Sequence, residues 1–382
     1  MRTNNRIDKI KEYHFKNLDI IKNQVISTGI DVVDLSIGDS NIPVDNRIIE
    51  ALKNSFLKDG FNKYPPYEGI NELKEAVIKY YKSRYDVELD LDEVVILIGS
   101  KEGINNIIPA ICDIGEYIIA PNPGYPVYAT SASLWGCNTY KVDLYEEDGF
   151  LPRMEDISDE MKKAAKLFFI NYPNNPTGAI ANEKFYKEII EFCKNNEILL
   201  CNDGAYNEIV QGDTKTSSIL QFDKEKTSIE FGSLSKPYNM TGFRIGYAVG
   251  NKEAIRALAK IKSNVDSGQF KPIQYAAIEA LSLGEEYLSQ IQKIYSERRE
   301  IAEKVLKEKN IEFFETTGAF YILAKTPKGY TTKEFCEELL RKHGVAVAQG
   351  GIFGTVTEGY FRIALTQDKE RIYEGLNRLD RY

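Results

Sequence analysis

The stretch LFFINYPNNPTGAIANEKFYKEIIEFCKNNEILLCNDGAY, residues 167–206, decides the fold. It opens on four consecutive apolar residues, 167–170, and closes on a second apolar run at 198–201 before a polar loop. Between them 183–195 reads as a helix, so the stretch is one strand-helix-strand unit of a parallel sheet. Apolar residues at consecutive positions, with no polar alternation, belong to strands covered by helices on both faces. Outward from this unit the same style recurs at 94–98, 117–120, 229–231 and 243–249, with 252–262 as another covering helix. The expected fold class is α/β, a large domain with a mostly parallel central sheet sandwiched by helices, plus a smaller α+β domain. That smaller part begins after a long helical region at 272–309 and holds short strands at 319–323, 345–348 and 360–365 beside a helix at 332–343. The expected division is an N-terminal segment 1–44, whose strand-like 32–36 packs with the small domain, a large domain 45–284 and a small domain 285–382. A chain of 382 residues suits two domains.

Composition removes several function classes. Forty-nine basic against 57 acidic residues give a net charge of −8, and no Lys/Arg block is present to track a phosphate backbone, so nucleic acid is not an expected partner. No apolar run approaches a membrane span, and MRTNNRIDKIKEYHF at the start lacks the apolar core of a signal peptide. The five cysteines form no C-x-x-C pair and read as reduced core residues of a cytoplasmic protein, without a structural zinc site. With only His14 and His343 present, neither a Ser-His-Asp hydrolase nor a His-ligated zinc enzyme has its parts. No metal is expected, and proton transfer falls to Lys, Tyr or carboxylate.

Chemistry concentrates after the strands. The loops are Gly99-Ser100-Lys101-Glu102-Gly103, Pro121 to Pro126, Asn171 to Gly178, Asn202 to Tyr206 and Gly232 to Lys236. In an open parallel sheet the carboxyl ends of the strands share the edge where ligands bind, so these loops converge on one crevice. The Gly99 turn opening a helix can cradle a phosphate, or Ser100 can simply cap that helix. Asp203 ends a buried strand, where a carboxylate needs a cation or donors; it either caps the following turn or meets a protonated heteroaromatic nitrogen. Lys236, in SLSKPYNMTGFRIGY, is either one of many surface lysines or a desolvated amine able to form a Schiff base with an aldehyde. Arg362 alternates out of phase with Phe361, Ile363 and Leu365 and is either an exposed strand residue or a bidentate carboxylate clamp. One cofactor, pyridoxal 5'-phosphate, uses a Lys, an Asp, a Tyr and Asn, a stacking aromatic and a phosphate nest together.

On Leu35 to Asp39, Tyr64 to Gly69, Ile98 to Gly103, Pro123 to Tyr128, Asn171 to Gly178, Ser233 to Gly246 and Lys262 to Gly268, the chain resembles the class I/II aminotransferases of the fold-type I pyridoxal-phosphate enzymes over nearly its whole length. Within them it is similar to the group acting on LL-diaminopimelate. The resemblance implies that Lys236 links to the cofactor and moves the substrate proton, and that Asp203 faces the ring nitrogen. It places Asn175 and Tyr206 on the ring oxygen and Tyr125 stacked on the ring. Gly99, Ser100, Lys101, Ser233, Ser235 and Arg244 hold the phosphate, with Tyr64 reaching in from the second subunit of a homodimer. Arg362 takes the substrate carboxylate, backed by Gly38 and beside Asn175. The implied reaction is amino transfer between LL-diaminopimelate or glutamate and an oxo acid such as 2-oxoglutarate. Another amino acid, a lyase or decarboxylase on the same fold, and a non-catalytic sensor domain are the alternatives. Asn202, Gly204, Pro237 and Phe243 depart from the pattern of the group, as do 317–319 and 348–351, and they bear on the substrate rather than on the cofactor.

Overall fold

A computed structural model describes residues 4–10 and 14–382, so 1–3 and 11–13 of the expected N-terminal segment lie outside the described residues. Its strands, in chain order, are β1 (Val33–Asp34), β2 (Val94–Leu97), β3 (Tyr117–Asn122), β4 (Asn138–Asp143), β5 (Ala165–Ile170) and β6 (Leu199–Asp203). They continue with β7 (Ile229–Ser233), β8 (Gly246–Gly250), β9 (Tyr321–Lys325), β10 (Val345–Ala346), β11 (Ala348–Gln349) and β12 (Tyr360–Ala364). Seven strands form the central sheet in the order β2-β8-β7-β6-β5-β3-β4. The pairs β7-β6, β6-β5, β5-β3 and β3-β4 are parallel, while β8 runs antiparallel to both of its neighbours.

The doubled apolar runs are explained by where the side chains go. Phe168, Ile170 and Leu200 enter one core, with Phe185, Tyr186 and Ile189 of the helix Glu183–Asn195. Leu167, Phe169 and Cys201 enter another on the opposite face, with Ile104, Ile107 and Leu258 from the helices Ser100–Ile111 and Lys252–Val265. Successive residues of a strand point to opposite faces, so a sheet covered on both sides must be apolar at every position. Phe169 is completely buried, and Phe169→Ala is expected to cost about 3–5 kcal/mol, read as a lower denaturation midpoint at an unchanged m-value.

The second assembly is the three-stranded antiparallel sheet β11-β12-β9. β1 pairs in parallel with β10, Val33 opposite Val345, and so ties the N-terminal segment to the C-terminal part. The helix His14–Ser27 is held at Lys22, whose ammonium meets Asp19 at 2.6 Å and Asp34 at 2.7 Å.

Four details differ from expectation. The strand expected at 243–249 begins at Gly246, because Arg244 adopts φ +53° and turns the chain before the ladder starts. The helical region expected at 272–309 is two helices, Lys271–Ser282 and Gly284–Glu308, parted where Gly284 has φ +70°. The run 345–348 is two separate strands that pair with different partners. β4, absent from the expected set, is the partly exposed edge strand NTYKVD and carries little apolar signal.

Candidate active site

The carboxyl ends of β5, β6 and β7, the loop after β2 and the turn before β8 meet at one cavity of about 570 Å³. Gly38, Ser100, Lys101, Tyr125, Asn175, Asp203, Tyr206, Ser233, Ser235, Lys236, Arg244 and Arg362 all line it. Gly99 lies just behind, where a Cβ would come within 2.6 Å of Arg244 Nη2, so the turn must be glycine for the guanidinium to reach across. Tyr64 does not line the cavity of its own chain and is 82% exposed.

Asp203, the last residue of β6, is buried, and burial raises its carboxyl to about 6 against the relief given by the Tyr128 hydroxyl. That hydroxyl donates to Oδ2 at 2.9 Å, while Oδ1 is buried without a hydrogen-bond partner among the described residues. A buried carboxylate oxygen left unpaired is costly, and a cationic ring N-H would satisfy it. Lys236 Nζ donates to the carbonyl of Gly38 at 2.6 Å. Burial lowers its ammonium to about 8, opposed by Asp39 and reinforced by Arg362 and Arg244. An amine so placed is deprotonated often enough near neutral pH to attack an aldehyde.

Arg362 is 2% exposed rather than solvent-facing. Its guanidinium donates to Asn175 Oδ1 at 2.8 Å and to the Ser36 carbonyl at 2.6 Å, and lies between the rings of Tyr321, 4.2 Å away, and Phe353, 4.7 Å away. Two flanking rings fix the plane of the fork and leave it suited to bidentate carboxylate binding. At the other end Ser100 starts a 12-residue helix whose positive dipole end faces the cavity beside Ser233, Ser235 and Arg244. Arg244 is fixed there by donating to the Thr241 carbonyl at 2.8 Å. A phosphate nest, an unpaired buried carboxylate oxygen and a desolvated lysine in one cavity fit pyridoxal 5'-phosphate.

Several residues on the wall or just behind it carry no role in the sequence reading. Asn171 joins two loops by donating to the Asp203 carbonyl at 2.6 Å and accepting from Asn175 N at 2.8 Å. Tyr321 meets Tyr206, hydroxyl to hydroxyl, at 2.8 Å. Tyr128 stacks on Phe169 at 5.0 Å, which aims its hydroxyl at Asp203. Asp19, Ile37, Asp39, Pro126, Ala205, Thr241, Ile352 and Phe353 complete the wall. Tyr128 closes the Pro123 to Tyr128 motif and so had a local signal; Tyr321 sits in a core-like strand and had none. Away from the cavity Glu338, His343 and Asp380 cluster, but the Lys342 ammonium already sits 2.7 Å from Asp380 and 3.4 Å from Glu338, where a metal ion would have to go.

The model of the family described as aminotransferase class I and II matches residues 30–379. The LL-diaminopimelate aminotransferase of Aquifex aeolicus is 43% identical over 376 residues, 98% of this chain and 97% of that one. The enzyme of the same name from Halothermothrix orenii is 43% identical over 381 residues, covering 99% and 98%. Among solved structures, substrate-bound BacF from Bacillus subtilis superposes with a TM-score of 0.95 at 32% identity, covering 99% of this chain and 97% of its own. The aspartate aminotransferase of Thermotoga maritima gives a TM-score of 0.92 at 29% identity, covering 98% of each chain. With its sheet order, its converging loops and these matches over nearly the full length, the chain belongs to the class I and II aminotransferases, enzymes that work with pyridoxal 5'-phosphate.

Proposed function

We propose that this aminotransferase moves the amino group between LL-diaminopimelate or glutamate and a 2-oxo acid, 2-oxoglutarate among them. The observation that carries the reading is the convergence of Lys236, Asp203 and Arg362 on one cavity, in a chain similar over 98% of its length to an LL-diaminopimelate aminotransferase. The cofactor supplies an electron sink that weakens the Cα–H bond of a bound amino acid. In this proposal Lys236 would take that proton from Cα and deliver it to C4′ of the cofactor, and Asp203 would keep the ring nitrogen cationic. Asn175 and Tyr206 hold the ring oxygen, and Tyr125 covers the ring face. Ser100, Lys101, Ser233, Ser235, Arg244 and the Gly99 turn hold the phosphate. Arg362 holds the substrate carboxylate against Gly38, which orients the Cα–H bond. Tyr128 belongs to the set through Asp203: Tyr128→Phe is expected to lower kcat about 10-fold, the worth of one hydrogen bond to a charged group, read in steady-state turnover with KM for the amino acid nearly constant.

The working unit in this reading is a homodimer. Phe56, Leu57, Tyr64, Tyr67 and Phe270 are exposed large side chains, and Phe56 meets Phe61 at 5.5 Å and Phe270 at 6.1 Å. A second copy covering them would bring Tyr64 to its neighbour's phosphate. The division into 1–44, 45–284 and 285–382 belongs to the same proposal and is supported by the break at Gly284 and the β1–β10 pairing. A cytoplasmic setting is proposed on the five free, buried cysteines. No helix of the described residues is long and apolar enough to cross a membrane.

Ile37, Ile352 and Phe353 on the cavity wall favour a second reading, a donor with an apolar or aromatic side chain. A half-reaction screen decides between them: the yellow loaded protein is mixed with single amino acids and its absorbance followed to the pyridoxamine form. Rapid conversion with both LL-diaminopimelate and glutamate is expected. Conversion only with aromatic or aliphatic amino acids selects the second reading, and conversion with none overturns amino transfer.

A further inference from the structure

Tyr206 and Tyr321 are both buried, with their hydroxyl oxygens 2.8 Å apart. Tyr206 comes from the loop after β6 and Tyr321 opens β9, so this bond joins the central sheet to the three-stranded sheet at the cavity wall. A phenol has one proton to donate. If Tyr206 donates to Tyr321, that proton is spent inside the pair. If Tyr321 donates to Tyr206, the Tyr206 proton stays available for a third group, and its oxygen, already accepting, makes it a stronger donor.

Tyr321 is held from several directions. Its carbonyl accepts from Arg299 Nη2 at 2.8 Å, its ring lies 4.2 Å from the Arg362 guanidinium, and a side chain at Gly38 would strike its hydroxyl. Among the described residues the charged and titratable groups around the pair include Asp203 and Arg362 beside Tyr206, Tyr295 and Arg299 beside Tyr321, and Lys236 and Asp39 on the same cavity. Arg362 keeps its bonds to Asn175 and Ser36 whichever way the two phenols are arranged.

We propose that Tyr321 is a positioning residue: it donates to Tyr206, directs the Tyr206 proton at the ring oxygen of the bound cofactor and thereby lowers that oxygen's proton affinity. The inference rests on the proposed role of Tyr206 and goes beyond it, because no contact of Tyr321 with the cofactor is required. Wild type, Tyr321→Phe, Tyr206→Phe and the double variant are loaded with pyridoxal 5'-phosphate, and the visible band is titrated against pH. Phenylalanine keeps the ring beside Arg362 and removes only the hydroxyl.

Loss of the donor raises the proton affinity, so the titration midpoint of Tyr321→Phe is expected to move up by about half a pH unit. Tyr206→Phe is expected to move it further, with the double variant coinciding with Tyr206→Phe. An unchanged midpoint in Tyr321→Phe, with Tyr206→Phe shifted, overturns the role of Tyr321 and leaves that of Tyr206 standing. An equal shift from Tyr321→Phe in both backgrounds overturns the relay through Tyr206. An unmoved midpoint in Tyr206→Phe overturns the assignment of Tyr206 itself.

Discussion

Replacing Lys236 by alanine is expected to lower turnover by about 10⁴-fold even with saturating cofactor, the upper range of what a positioned acid-base group contributes. The amine is directed by its 2.6 Å bond to the Gly38 carbonyl, on the segment whose Ser36 carbonyl also accepts from Arg362. Burial with only a partial counter-charge from Asp39 brings its ammonium down to about 8, so it can both accept and return a proton in the neutral range. Among the described residues no other lysine combines these conditions. Lys101 shares the cavity and is also lowered by burial, but it sits in the first turn of the helix at the phosphate end, beside Arg244. Steady-state assay of the purified variant checks the prediction, and a rate within 10-fold of wild type would contradict it.

Asp203→Asn is expected to move activity and stability in opposite directions. Without the carboxylate nothing keeps the ring nitrogen cationic, and a loss of about 10³-fold in kcat is expected, comparable to removal of a well-placed electrostatic group. The cofactor-free protein should gain stability. Burial raises the Asp203 carboxyl from 3.8 to about 6, so between those values the folded state keeps a proton that the unfolded chain has released. Stability from this group therefore falls as pH rises from about 4 to 6, and the penalty is complete above 6. Asparagine removes it, a gain on the order of 2–3 kcal/mol at pH 7.5. The gain should shrink toward zero as the pH approaches 4. Thermal midpoints of the cofactor-free proteins across that range test the sign, and a variant less stable than wild type at pH 7.5 would contradict it. With cofactor bound the comparison should reverse, because the ring nitrogen is then the partner that Oδ1 otherwise lacks.

Much of this site could be read from the chain because it hangs on local rules. A strand apolar at 167–170 followed at once by Asn171 to Gly178 announces a loop at the sheet's carboxyl edge, and five such loops must share that edge. Asp203 was visible as an acid placed where an acid is expensive. Arg362 is ambiguous, because alternation with Phe361 and Ile363 says only that it faces the other side of β12; what covers that side is Phe353 from the preceding loop, together with Tyr321 and Asn175 from distant parts of the chain. The start of β8 was misread because Phe243 is apolar, whereas the left-handed backbone at Arg244 is a tertiary choice that serves the reach to Gly99. Tyr321 was hidden for the opposite reason. Its neighbours Phe320, Ile322 and Leu323 are all completely buried, and a tyrosine among them reads as one more core residue. Asp19 belongs to the cavity only because Lys22 and the β1–β10 pairing bring the N-terminal helix back across the molecule.

Mapping the covalent link decides whether Lys236 is the residue to which the cofactor is joined. The purified yellow protein is reduced with borohydride, digested and its peptides weighed. A phosphopyridoxyl mass is expected on the peptide containing Lys236, and on no other. The same mass on a different lysine, or an intact yellow protein in which reduction labels none, would contradict it.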